Sequence, residues 1–157
     1  MNALPESIVE FFAQHQVLSL ALAVSRDDSP WSANAFFAWD GERNALIILS
    51  SSETLHCSIL AANPRVAGMI AGQFTDISQI HGLQYSGTCQ LLDEPAERDR
   101  ALAFYYDRLP QARDMQAGVW EITVQQLKLT DNRLGFGTKI EWINERFLLC
   151  INSNSPA

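Results

Sequence analysis

The sequence predicts a mainly β fold with a few helices, its strands paired antiparallel in a barrel or a sandwich. Three observations predict it. In several segments apolar residues recur at every second position, as half-buried strands require. Compact turn clusters such as Asp40-Gly41 separate consecutive strands, and connections this short join antiparallel neighbours. One strand is long and carries two internal glycines, which lets a sheet bend toward closure.

The elements follow in order. Residues 5–15 read as a helix, because Leu4, Ile8, Phe11, Phe12 and His15 recur at helical spacing and Pro5 suits a first turn. Residues 17–25 alternate, with Leu18, Leu20, Leu22 and Val24 on one face, and end in the turn cluster 26–30. A second strand sets Trp31, Ala33, Ala35, Phe37 and Trp39 against Ser32, Asn34, Phe36 and Ala38, and residues 45–50 form a third. Ser50 followed by Glu53 is a capping-box pattern, so a helix is expected from there to about Asn63, stopped by Pro64. Residues 65–73 read as a fourth strand and 77–92 as a long fifth, with Gly82 and Gly87 as bulge or bend points. Residues 94–106 read as helix and 119–130 as strand; 138–143 and 147–151 read as short strands. The total is six to eight strands. With no repeat or linker, residues 1–151 read as one domain and 152–157 as a disordered tail.

Composition narrows the function classes. The 157 residues are 47% hydrophobic and 18% charged, a globular balance at the length of one domain. Eleven basic against 18 acidic residues give a net charge of -7, and there is no dense Lys/Arg run, which argues against nucleic acid or an anionic membrane as partner. The apolar stretches are too short to span a bilayer, and Glu6 and Glu10 stand where a signal peptide carries positive charge, so the expected location is cytoplasmic. Cys57, Cys89 and Cys150 form no C-x-x-C pair and read as reduced, largely buried thiols rather than metal ligands. His15, His56 and His81 are far apart, and neither G-x-S-x-G nor H-E-x-x-H occurs, so no metal site or hydrolytic motif is expected.

One segment carries site chemistry. Ser50, Ser51, Ser52 and Thr54 put four hydroxyls at a predicted helix N-terminus, and His56 follows in its first turn. Hydroxyls, unpaired helix amides and a titratable imidazole together suit an anion such as phosphate. The simpler alternative is that Ser51 or Ser52 caps the helix. The glycines of Leu134-Gly-Phe-Gly-Thr-Lys139 fit a bare turn or a loop that covers a ligand.

Several local sequences carry a family resemblance: Trp31-Ser-Ala-Asn-Ala-Phe-Phe37, Ser50-Ser-Ser-Glu-Thr-Leu-His56, Ala62-Asn-Pro-Arg-Val66, Ile80-His-Gly-Leu-Gln-Tyr-Ser-Gly87, Val119-Trp-Glu-Ile122 and Thr130-Asp-Asn-Arg-Leu-Gly-Phe-Gly137. In these and in element order the chain resembles the pyridoxamine 5′-phosphate oxidase-like family of FMN-binding split barrels, above all its short bacterial YhbP-like branch. The resemblance implies a split β-barrel and a homodimer with FMN in a groove between two barrels. It also implies that the segment Leu49 to His56 holds the phosphate, through Ser50, Ser51, Ser52, Thr54, Leu55 and His56; Asn34 and Gln84 are the polar groups expected near a ring edge, and Lys139 is a candidate cation. Trp31, Phe36, Phe37, Trp39, Trp120 and Trp142 are candidate walls for the flavin ring, or else core residues.

The chain also departs from the family. Where flavin-binding relatives commonly place Arg or Lys, this chain has Ala33 or Asn34, and again His56; Arg133 or Lys139 is a candidate replacement cation. The implied activity is that of an FMN-dependent oxidoreductase of unspecified substrate, with no catalytic side chain assigned. The alternatives are a non-catalytic module for flavin or another small ligand, a cofactor-free dimeric interaction protein, and a haem protein using one of the histidines.

Overall fold

A computed structural model describes residues 2–23 and 30–153. The helices are α1 (Glu6–Gln14), α2 (Leu55–Ala62), α3 (Pro95–Arg108) and α4 (Glu145–Ser153). The strands are β1 (Val17–Ala23), β2 (Pro30–Asp40), β3 (Ala45–Ser50), β4 (Arg65–Ala71), β5 (His81–Leu91), β6 (Gly118–Asp131) and β7 (Lys139–Ile143). All pair antiparallel in the order β3-β2-β1-β4-β5-β6-β7, and β3 also pairs with β6. Six strands therefore close into a barrel and β7 adds outside the ring. This is the expected barrel, with seven strands.

Two cores account for the sequence pattern. Inside the barrel, Leu18, Leu20, Phe37, Leu46, Ile48, Ile70, Leu83 and Ile122 meet Ile8, Phe11 and Phe12 from α1 and Cys57, Ile59 and Leu60 from α2. Outside, α3 lays Ala101 and Tyr105 over Ala38, Ile47, Leu49 and Val119. β3 is thus buried on both faces, which explains its unbroken apolar run Ala45 to Leu49. Ser50 lies where the strand leaves both cores. Cys57 and Cys89 are buried free thiols. None of the described helices is long and apolar enough to cross a membrane.

Several boundaries differ from expectation, each for a local reason. Ser50 stays extended, paired with Gly118, so the Ser50/Glu53 capping box does not form. Residues 51–54 make a turn instead, and Thr54 caps α2 by accepting from the Cys57 amide at 3.3 Å. Residues 77–79 form a 3-10 turn capped by Asp76, so β5 starts at His81. Its register shifts at Ser86/Gly87, as expected of Gly87, whereas Gly82 pairs regularly with Thr130. Residues 147–151 are helical rather than a strand. Asn144 supplies the N-cap, its side-chain oxygen accepting from the Arg146 amide at 3.1 Å, and a short apolar run does not itself distinguish strand from helix. Asn152 and Ser153 belong to α4. Of the expected strand 17–25 and turn cluster 26–30, residues 24–29 lie outside the described residues, as do residues 154–157.

Candidate functional site

A cavity of about 330 Å³ opens beside Ser50, between the outer face of β2, the end of β3, the start of α2 and the C-terminal end of α3. Its size is within the roughly 300–1,000 Å³ of small-molecule pockets. β2 supplies Asn34, Ala35 and Phe36, β3 supplies Leu49 and Ser50, and α2 supplies His56. The opposite wall is Tyr105 and Leu109 at the end of α3, with Gln111, Ala112 and Met115 from the turn beyond it. No lysine, arginine or carboxylate is among these lining residues.

Hydrogen bonding settles how the polar edge is arranged. The Thr54 hydroxyl donates to the Ser51 carbonyl at 2.8 Å. With that proton committed, Thr54 Oγ1 can only accept in its 3.2 Å contact with His56 Nε2. Ser50 Oγ lies closer to the same nitrogen, at 2.7 Å, and donates to it or accepts from it according to the ring's tautomer. Burial pushes the His56 pKa below its ordinary 6.5, so the ring is neutral at pH 7. Two further donors come from the first-turn amides of Leu55 and His56, which have no partner within the helix. The Tyr105 hydroxyl donates to the Phe36 carbonyl at 3.4 Å, and burial, with Tyr106 nearby, pushes its pKa up to about 12. The polar edge is therefore donor-rich and uncharged.

Of the residues singled out in sequence, Asn34, Ser50 and His56 line this cavity together, with Thr54 holding His56 in place. Ser51, Ser52 and Leu55 are exposed on the same turn, and Ser51 Oγ accepts from the Glu53 amide at 3.3 Å. Gln84 and Lys139 do not join them. Asn34, Ser19, Met69 and Gln84 are successive partners across β2, β1, β4 and β5. Three strand spacings separate Gln84 from Asn34, about 14 Å. Lys139 lies on β7 opposite Thr130. Arg133 is bound to Asp131 through bonds of 2.7 and 2.9 Å. Of the aromatic residues, Phe37, Trp120 and Trp142 are in the barrel core, Trp39 stacks on Phe12 and Trp31 is exposed. Phe36 alone among them lines the cavity. The α3 wall has one signal in sequence, the i, i+4 pair Tyr105 and Leu109 on the apolar stripe of the helix.

Gln84 instead lines a second, larger cleft of about 660 Å³, with Met69, Phe74, His81 and Thr130. His81 lies 5.7 Å from His15 between ring centroids and 4.5 Å from Phe74, so two histidines distant in sequence meet here. Each uses Nδ1 on a backbone carbonyl, His15 on Phe11 at 2.9 Å and His81 on Gln79 at 2.8 Å. A carbonyl only accepts, so Nδ1 carries a proton, and the lone pair of the neutral form of each ring is on Nε2. No group of three or more His, Cys, Asp or Glu suited to a metal ion occurs among the described residues.

Comparison with known proteins follows the same outline. Residues 4–131 match the family model described as pyridoxamine 5′-phosphate oxidase. The UPF0306 protein of Cronobacter sakazakii is 37% identical over 143 residues, covering 91% of this chain and 96% of that protein. The UPF0306 protein YhbP of Salmonella paratyphi A is 38% identical over 122 residues, covering 78% and 82%. Among solved structures, a heme binding protein from Mycobacterium smegmatis superposes with a TM-score of 0.72 at 20% identity. That match covers 94% of this chain but 62% of the longer protein, and at this identity it bears on the fold alone.

Proposed function

The chain belongs to the pyridoxamine 5′-phosphate oxidase family, among the UPF0306 and YhbP proteins, and from that premise we propose that it binds FMN in the cavity beside Ser50. One observation carries the proposal. The cavity has an apolar wall of Phe36, Leu109 and Met115, and at one end converging donors from Ser50, His56 and the first turn of α2. That is the donor set a phosphate needs, placed beside a slot that accepts a flat ring.

In this reading the Ser50 hydroxyl and the amides of Leu55 and His56 hold the phosphate, and Thr54 fixes the His56 ring. Asn34 offers an amide at the ring edge. Bound FMN supplies hydride or single-electron transfer to a substrate, the chemistry of a flavin-dependent oxidoreductase. The side chains here bind and orient.

The site is completed by a second copy. The outer face of β2, β1, β4 and β5 carries Phe36, Val17 and Met69, each about half exposed, with the neutral Asn34, Ser19 and Gln84 between them. Arg65 is exposed farther along the same face of β4, and a half-exposed apolar patch set among neutral residues suits a symmetric interface.

Flavin titration followed by fluorescence quenching, with solution mass measured in parallel, tests the proposal. Micromolar FMN binding by a dimer is expected. No binding up to millimolar FMN refutes it, since that limit corresponds to only about 4 kcal/mol.

A second reading, haem as the ligand, is favoured by the His81 cleft. Its imidazole has Nδ1 held by Gln79 and, in the neutral form, a lone pair on Nε2, beside Phe74. A Soret shift on haemin titration that His81→Ala abolishes supports it; a shift unchanged in that variant removes it.

A further inference from the structure

We infer that a phosphomonoester enters the Ser50 cavity together with a proton, which His56 takes up, so that its affinity rises as the pH falls. The inference rests on the flavin-phosphate reading and concerns how a site without a fixed cation meets the ligand's charge.

The groups around His56 narrow the choice to His56 itself. β2 presents Asn34 and Phe36, β3 presents Ser50, α3 presents Tyr105, and the turn after it presents Gln111. Of these only Tyr105 titrates, and it stays protonated and neutral. Cys57, next along α2, is buried in the barrel core, and Glu53 on the preceding turn is exposed and outside the lining. The two basic residues with a sequence-level claim on the site are elsewhere, Arg133 on Asp131 and Lys139 on β7. His56 is therefore the one group lining the cavity that can become a cation.

The geometry makes that change productive. His56 Nε2 lies 2.7 Å from Ser50 Oγ, so an anion held by Ser50 sits beside the imidazole. In the empty cavity nothing offsets the burial that disfavours the charged ring. The amides of the α2 N-terminus add to that disfavour, because a helix start repels a cation. A bound phosphate reverses both effects at once: it is stabilised by the amides and it stabilises the imidazolium. Binding and protonation then favour each other, and linkage makes one the measure of the other.

The experiment is calorimetry of FMN and of riboflavin, which lacks the phosphate, at pH 7.0 and 8.5 in buffers of differing ionisation enthalpy. Above pH 7 the phosphomonoester is already the dianion, so its own ionisation does not interfere. Uptake of one proton weakens FMN binding about 30-fold over this range, tenfold per pH unit. Riboflavin should show no pH dependence and no proton uptake. His56→Arg, which fixes the charge, should bind FMN equally at both pH values without proton uptake. FMN binding to the unaltered protein that is the same at both pH values, with no proton taken up, overturns the inference and leaves the flavin reading standing. Proton uptake that persists in His56→Arg overturns it as well. Failure of FMN to bind at either pH removes the flavin reading, and the inference with it.

Discussion

Gly87 and Gly82 both lie on β5 and look alike in sequence, yet alanine at the two positions should move stability in opposite directions. A Cβ on Gly87 would stand 2.3 Å from the Thr123 carbonyl oxygen and 3.2 Å from its carbon. Both obstacles are β6 backbone, at the point where the β5–β6 register shifts. The closer contact is about 1 Å short of van der Waals separation, and relief means parting two strands of the barrel wall. Overpacking typically destabilises by about 1–3 kcal/mol; with no flexible side chain to yield, Gly87→Ala belongs at about 3. At Gly82 the nearest atoms are Ala71 Cβ at 3.5 Å and the Ile70 carbonyl at 3.6 Å, ordinary contacts. There alanine removes unfolded-chain entropy and should stabilise by about 0.5–1 kcal/mol. Urea unfolding followed by tryptophan fluorescence reads the difference. With a slope of about 1–3 kcal/mol/M, the Gly87→Ala midpoint should fall by at least about 1 M while that of Gly82→Ala holds or rises. A Gly87→Ala midpoint within error of the unaltered protein would refute the steric account of the bulge.

Further outcomes follow from the charged cluster and the cavity. Asp40 is fully buried and accepts from Arg100 at 2.6 Å and from the amides of Glu42 and Arg43. Asp40→Asn should cost about 3 kcal/mol, the low end for a broken buried pair because the Arg100 side chain is 31% exposed; a loss below about 1 kcal/mol in urea unfolding counts against it. Burial pushes the Glu121 pKa up, against the pull of Arg43 and Arg100. The native state then binds this proton more tightly than the unfolded chain, so stability from Glu121 grows as the pH falls through its folded pKa and is complete near the ordinary 4.5. Glu121→Gln should lack that gain, and a stability difference between the two proteins that is constant from pH 7 to 4.5 would contradict it. Ser50→Ala should weaken FMN binding by about 10- to 100-fold, the range of one hydrogen bond to a charged group, with riboflavin little affected. Ser52→Ala should change FMN affinity less than twofold in the same titration, and equal losses in the two variants would misplace the phosphate.

Much of the barrel is legible in sequence because burial of one face forces alternation, as at Leu18, Leu20 and the residues between them. β3 lacks that alternation and owes its apolar run to α3 on its other face, a tertiary fact. Helix α4 is hidden in sequence because the apolar Phe147-Leu-Leu run reads equally as a strand, and only the cap at Asn144 distinguishes helix from strand there. The candidate site divides the same way. Ser50, Thr54 and His56 are neighbours in sequence, so one turn suffices to bring them together. Tyr105, Gln111 and Met115 reach the cavity only because α3 docks on β2 and β3, which no local pattern reports. Gln84 illustrates the remaining limit. Its place on an outward strand face is readable, but a ring of strands puts it about 14 Å from Asn34 within one chain. The absence of a basic residue at the proposed phosphate end is plain from sequence, and Arg133 and Lys139 are then equal candidates to replace it. The structure separates them: Arg133 is occupied by Asp131, and Lys139 sits on the strand outside the ring. What remains beside Ser50 is an imidazole. A fixed guanidinium would hold a phosphate at any pH, whereas an imidazole holds it only when protonated, so replacing one by the other converts a permanent anchor into one that responds to pH.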